Sequence, residues 1–205
     1  SANRSGHFSI NLDSAILTMN ASVVIMGVAG CGKSSLGAAV AAAEGLLLIE
    51  GDDHHSDASR AKMSQGLALT DADREGWLAR LATELQSHPG GQVLTCSALR
   101  RRYRDVLRAA VPGLRFVFLD ITRDEATARV AARASHFFST SLVDSQFATL
   151  ESPVGEAGVL RVDATAPLPQ LQAQVSAWLH TQETAWGTTP IPSPPVAGSS
   201  ISPRA

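Results

Sequence analysis

Eight consecutive residues, Gly27-Val28-Ala29-Gly30-Cys31-Gly32-Lys33-Ser34, have the types and spacing needed to hold a chain of phosphates. They match the pattern G-x-x-x-x-G-K-[ST] in full. Its glycines let the backbone curl so that successive N–H groups converge on phosphate oxygens, and the positive end of a following helix adds to that field. Lys33 then reaches the β and γ phosphates as a point charge, Ser34 offers its hydroxyl to Mg²⁺, and Ser35 follows in the same helical turn. Cys31 fills a free position of the pattern and is assigned no chemistry. A second group of reactive side chains follows the next apolar run, where Leu46 to Glu50 leads into Gly51-Asp52-Asp53-His54-His55. Small-molecule kinases carry an acid just after their second strand, beside the acceptor hydroxyl, so a general base belongs in this segment.

Positioning these groups requires a particular scaffold. Short apolar runs alternate with longer segments of helical period, the signature of parallel strands joined by crossover helices. Strands are expected at Ser22 to Met26, Leu46 to Glu50, Gln92 to Cys96, Arg115 to Leu119 and Val159 to Val162, nearly continuous in apolar character as strands buried on both faces must be. Helices are expected at Lys33 to Ala43, Asp71 to Ser87, Leu99 to Ala109, Asp124 to Ala134, Leu142 to Leu150 and Pro167 to Thr181. The predicted fold is α/β, a three-layer P-loop NTPase sandwich with a five-stranded parallel sheet flanked by helices. Thr70 and Asp73 have the spacing of a capping box, and Trp77, Leu78, Leu81 and Leu85 form an apolar stripe behind it.

The 205 residues suffice for one such domain, expected over 19–182. A net charge of -2, from 17 basic and 19 acidic residues, argues against nucleic acid or acidic membranes as partners. Although 44% of the residues are apolar, the longest runs are too short to span a bilayer. Cys31 and Cys96 stand outside any metal-ligand spacing and are read as reduced thiols of a cytoplasmic protein. Residues 1–18 lack the features of a secretory signal and read as a leader, and the Pro- and Ser-rich 187–205 as a disordered tail. The chain has no N-K-x-D guanine signature, which Thr122 to Glu125 only faintly echoes, and it is short for a motor ATPase.

With these blocks in view the chain resembles the gluconokinase family, P-loop sugar-acid kinases related in fold to shikimate and nucleoside monophosphate kinases. The resemblance runs from about Val23 to Leu179. It rests on the phosphate motif and on the G-D-x-x-H that follows the second strand, here Asp52 to His55. Further blocks are Lys62-Met63 to Trp77-Leu78, Cys96-Ser97-Ala98-Leu99-Arg100 to Tyr103-Arg104-Asp105, Arg133 to Phe138, and Gln146-Phe147 to Pro153. The chain departs from the family at Arg100, usually Lys, at Ala68, usually Pro, at Ser135, usually Gly, and at Ser56, where Pro is common.

The resemblance implies ATP-dependent phosphorylation of gluconate, with ATP and Mg²⁺ as cofactors and a homodimer as the frequent assembly. It implies Asp52 as general base beside Mg²⁺, with Glu50 and Asp53 left as loop-capping or solvated carboxylates, and His55, Lys62, Arg74, Ser97, Arg100 and His136 as substrate contacts. His54 reads as an exposed loop residue, and Asp120 as a strand-terminal loop residue rather than a rival acid. Arg129 and Arg133 share a helical face and are assigned to a helical lid that neutralises the transferring phosphate, the alternative being a solvated face in which Glu125 pairs with Arg129. Of the basic run Arg100, Arg101, Arg102, Arg104 and Arg108, most are expected to face solvent, with Arg100 reaching a sugar-acid carboxylate. Two other readings stay open: a kinase for another polyol acid such as shikimate, and a nucleotide-binding regulator whose catalysis has lapsed.

Overall fold

A computed structural model describes residues 22–132 and 140–186. The segments read as leader and tail lie outside the described residues, as do Arg133 and His136. Five strands form one parallel sheet: β1 (Val23–Met26), β2 (Leu47–Glu50), β3 (Gln92–Thr95), β4 (Arg115–Asp120) and β5 (Val159–Asp163), in the spatial order β2-β3-β1-β4-β5. Among the described residues seven α-helices surround it: α1 (Lys33–Glu44), α2 (Asp57–Ser64), α3 (Asp71–Ser87), α4 (Arg101–Ala110), α5 (Arg123–Ala132), α6 (Thr140–Thr149) and α7 (Leu168–Trp186). The expected strands lie within one residue of those found, and α3 has the bounds expected of it.

The pleat of β1 shows why the sheet must be covered on both sides. Val23 and Ile25 pack into a core shared with Leu36 and Val40 of α1 and Val175 and Leu179 of α7. Val24 and Met26, on the opposite face, pack with Trp77, Leu81 and Leu85 of α3 and Leu107 of α4. Every residue of β1 is buried, so alternate side chains feed separate cores and no face is left for water.

Sequence reading missed α2 and the 3-10 turn Gly51–His54. The eight residues of α2 bury only Ser59 and Met63, so there is little apolar period to detect; its start is set by Ser56, whose Oγ accepts from the Ser59 amide at 3.1 Å. Asp120 also differs from expectation, since it is the last residue of β4 and pairs with Arg161 of β5 at 2.5 Å.

β1 and β3 place their carboxyl ends side by side at the centre of the sheet. The topology reverses there, because the chain passes from β1 outward to β2, returns to β3, and then crosses to β4. Open α/β sheets bind ligands at such a switch point.

Candidate active site

The loop after β1 and the first turn of α1 form one wall of a cleft at this switch point, lined by Ala29, Gly30, Gly32, Lys33, Ser34 and Ser35. Gly32 is the N-cap of α1 at φ 103°, a left-handed conformation that disfavours any side chain, and no side chain caps the helix. The first turn carries no acid, so none of its own side chains neutralises the positive end of the helix. Lys33 Nζ donates to the carbonyls of Gly27 at 3.2 Å and Val28 at 3.0 Å, which hold the ammonium over the loop. Gly30 lies against α5, where a Cβ would come within 2.8 Å of the Ala126 carbonyl. The loop therefore packs tightly on its protein side and presents donors on the other. An oxygen already meets one of these donors, since the Ala29 amide donates to Gln146 Oε1 of α6 at 2.6 Å. An uncapped helix start, positive φ at Gly32 and the Lys33 ammonium over the loop fit a nucleotide's phosphates.

At the end of β2 the Ser34 hydroxyl donates to Glu50 Oε2 at 3.0 Å, and the same oxygen accepts from Thr95 Oγ1 of β3 at 2.5 Å. Glu50, which sequence reading left as a spare neighbour of Asp52, is thus the carboxylate that faces the motif's serine. It is the last residue of β2, level with Thr95 of β3, a pairing that the sequence alone did not show. Gly51 follows with no room for a side chain, because a Cβ there would sit 2.2 Å from the Thr95 carbonyl.

The opposite wall carries the other groups. Asp52 is exposed to the cleft, and its Oδ1 lies 3.7 Å from His55 Nε2. His55 is buried and stacks on Trp77, with ring centroids 4.3 Å apart and planes inclined by 16°. Burial drives its pKa down to about 4, against the opposing pull of Asp52. Trp77 Nε1 donates to the Gly51 carbonyl at 2.7 Å, so α3 fixes both the turn and the histidine. His55 Nδ1 has no hydrogen-bond partner among the described residues.

Of the expected substrate contacts, Asp52, His55, Arg74 and Ser97 line this cleft together with the phosphate loop. Arg74 is half-buried beside Tyr103, its Nη1 3.5 Å from the phenolic oxygen, and no carboxylate pairs with it among the described residues. Lys62 and Arg100 are not brought to the cleft lining. Lys62 Nζ donates to both oxygens of Asp73 at 2.7 and 2.8 Å, and Arg100 Nη1 lies 3.6 Å from Asp71, which Arg102 and Tyr103 also hold. Arg129 donates to the Ala164 carbonyl at 3.0 Å, and Glu125 caps its own helix through Thr122, so the Glu125–Arg129 pair is not formed.

Most of the basic run was expected to face solvent, and Arg104 does not, being fully buried. Its guanidinium donates to the carbonyls of Ala98 and Leu99 at 2.9 and 3.2 Å and pairs with Glu156, whose second partner is Arg108 at 2.7 Å. The two arginines hold the Glu156 carboxyl below the usual range. A buried cation persists because its donors are met on every side. These bonds brace the turn at Ala98, which adopts φ 44° between the cleft residues Ser97 and Leu99.

Comparison with known proteins agrees with this geometry. Residues 23–153 match the family model described as an AAA domain, and the fold with its phosphate loop defines a nucleotide-binding P-loop protein. A thermosensitive gluconokinase of Escherichia coli is 38% identical over 157 residues, covering 75% of this chain and 84% of that protein. A gluconokinase of Gluconobacter oxydans is 43% identical over 143 residues, 68% of this chain and 80% of that one. The crystal structure of a gluconokinase from Sinorhizobium meliloti superposes with a TM-score of 0.76 at 41% identity, covering 83% of this chain and 99% of that one. The chain belongs to the gluconokinase family.

Proposed function

We propose that this protein transfers the γ-phosphate of ATP to gluconate, forming 6-phosphogluconate and ADP. The observation that carries the reading is one continuous cleft with an uncapped phosphate loop on one wall and Asp52, Arg74 and Ser97 on the other. Relatives named for gluconate kinase activity supply the substrate.

Asp52 has the exposed carboxylate needed to orient the attacking hydroxyl and accept its proton as the new P–O bond forms. Lys33, at the opposite wall, stabilises charge that develops on the transferring group. Ser34 and Glu50 supply hard oxygen donors beside the phosphate positions, a set that suits Mg²⁺, which takes few protein ligands and completes its shell with phosphate and water. When bound, Mg²⁺ would neutralise the phosphate oxygens and orient them for in-line attack. Asp52 then serves as base, and Glu50 is the carboxylate on the metal side.

Arg74 is the cation placed for the sugar-acid carboxylate, because it lines the cleft with no carboxylate partner among the described residues, whereas Arg100 is engaged by Asp71. Missing charge-assisted bonds cost about 1.5–3 kcal/mol each, so gluconate should exceed glucose in kcat/KM by roughly one to two orders of magnitude per bond. The test is kcat/KM for gluconate, glucose and shikimate in the wild type, Arg74→Ala and Arg100→Ala. Arg74→Ala should narrow the gluconate-to-glucose ratio more than Arg100→Ala does. A wild type that prefers glucose or shikimate overturns the reading.

A further inference from the structure

The block Gln146-Phe147 to Pro153 has so far no chemical role, yet its first residue reaches into the phosphate loop. Gln146 is half-buried on α6 and is the one side-chain amide among the described residues that line the cleft. Its contact is with the peptide unit joining Val28 to Ala29. The carbonyl of that unit accepts from Lys33 Nζ at 3.0 Å, and its N–H donates to Gln146 Oε1 at 2.6 Å. A cation on the carbonyl polarises the peptide and makes its N–H a stronger donor, which accounts for the short bond.

That bond also fixes which way the amide faces. A peptide N–H needs an acceptor, so the oxygen of Gln146 must face Ala29. Its Nε2, with two N–H donors, is thereby held within one amide's width of the loop. The peptide that fixes it is the one that carries the lysine of the β and γ phosphates. A neutral donor aimed at an anionic oxygen makes a charge-assisted bond without adding a competing charge to the site.

We propose that Gln146 is a catalytic residue for phosphoryl transfer: anchored through Oε1 on the Ala29 amide, it donates from Nε2 to the γ-phosphoryl group of the bound triphosphate. The inference rests on the kinase reading above. It requires Gln146 to distinguish a triphosphate from a diphosphate, which a side chain that merely steadies the loop would not do.

Two variants separate the roles. Gln146→Glu keeps an acceptor for the Ala29 amide but removes the donors and adds a negative charge, while Gln146→Leu keeps approximate size and removes both functions. Calorimetry with Mg²⁺-ADP and with the non-hydrolysable β,γ-imido analogue of Mg²⁺-ATP gives the readout, and thermal unfolding checks that each variant is folded. Loss of one bond to a charged group corresponds to about tenfold or more in affinity. Both variants should lower the ratio of imido-triphosphate to ADP affinity, by about tenfold or more in Gln146→Glu and several-fold in Gln146→Leu. In steady state kcat should fall while KM for gluconate stays near wild type. A Gln146→Glu protein with wild-type affinity for both nucleotides, or a Gln146→Leu protein that weakens both equally, overturns the proposal, as does an effect confined to KM for gluconate. A wild type that binds neither nucleotide would instead overturn the kinase reading itself.

Discussion

The starts of α1 and α3 face the same physical problem and solve it in opposite ways. Each opens with backbone N–H groups that have no partner inside the helix. At α3, Thr70 Oγ1 accepts from the Asp73 amide at 3.2 Å and Asp73 Oδ2 accepts from the Thr70 amide at 2.8 Å, a complete capping box. Lys62, foremost, and then the Thr70 groups hold the Asp73 carboxyl well below the usual range. Arg102 and Tyr103 lower that of Asp71, in the same turn, to about 2. At α1 there is a glycine for the cap, no acid in the first turn and no side-chain bond. The helix that frames the site is completed by the protein, and the helix proposed to bind phosphate is left without a cap of its own.

The largest expected effect comes from removing Lys33, the cation in the first turn of the uncapped helix. Lys33→Ala should lower turnover by about a thousandfold or more, since the ammonium acts on charge that develops during transfer. Its contacts in the fold are two bonds to loop carbonyls, so the thermal midpoint should move by no more than about 2 °C. Turnover near wild type would remove the loop from the mechanism. A smaller effect is expected when α1 is made to look like α3. Ser35 stands third in the helix and is exposed, and Ser35→Glu places a carboxylate over the free N–H groups. Affinity for Mg²⁺-ADP should then fall about tenfold or more by calorimetry while the thermal midpoint holds or rises. Unchanged affinity would show that this turn does not face the phosphates.

What could be read from sequence follows the same contrast. The phosphate loop and the capping box are local patterns whose chemistry lies in consecutive residues, and both were legible, as were the strands, although burial on two faces accounts for the apolar runs of the inner strands β1, β3 and β4 and not for the edge strands β2 and β5. Contacts set by tertiary placement were not. Glu50 and Asp52 are near neighbours in sequence, and only the pairing of β2 with β3 turns Glu50 toward Ser34 and Thr95. Arg104 looks like one of several surface arginines until Glu156, distant in sequence, is brought beside it. Lys62 and Arg74 fall in one matched block, yet the geometry of α3 ties the first to Asp73 and turns the second into the cleft.

Trp77 extends the framing role of α3 to His55, and this gives a pH prediction. The folded-state pKa of about 4 lies below the ordinary 6.5 because burial disfavours the imidazolium. As pH falls through 6.5 the unfolded chain takes up this proton first, so stability is lost between pH 6.5 and 4 and levels off below. The loss is at most about 3 kcal/mol. His55→Phe preserves the ring stack and should flatten this limb of the stability curve in urea titrations at successive pH values. Equal slopes for both proteins would show that His55 is not the group responsible.

The smallest expected effect tests whether the framing helix can lose its cap without harm to the chemistry. Thr70→Ala removes the oxygen that accepts from the Asp73 amide, and losses of this kind cost about 1 kcal/mol. Asp73 keeps its bonds to Lys62 and to the Thr70 backbone amide, which does not depend on the side chain, so the helix start should fray rather than unravel. For a domain of this size about 1 kcal/mol corresponds to roughly 2–4 °C in Tm. Arg74 closes the first turn through its backbone amide, which donates to the Thr70 carbonyl at 3.2 Å and does not depend on the Thr70 side chain, and Trp77 remains fixed by its bond to the Gly51 carbonyl, so kcat/KM for gluconate should change by less than about twofold. Thr70→Ser, which restores the oxygen, should recover the lost stability. A Thr70→Ala protein with wild-type Tm but much reduced kcat/KM would reverse the contrast, placing Thr70 at the substrate and the cap in a secondary role.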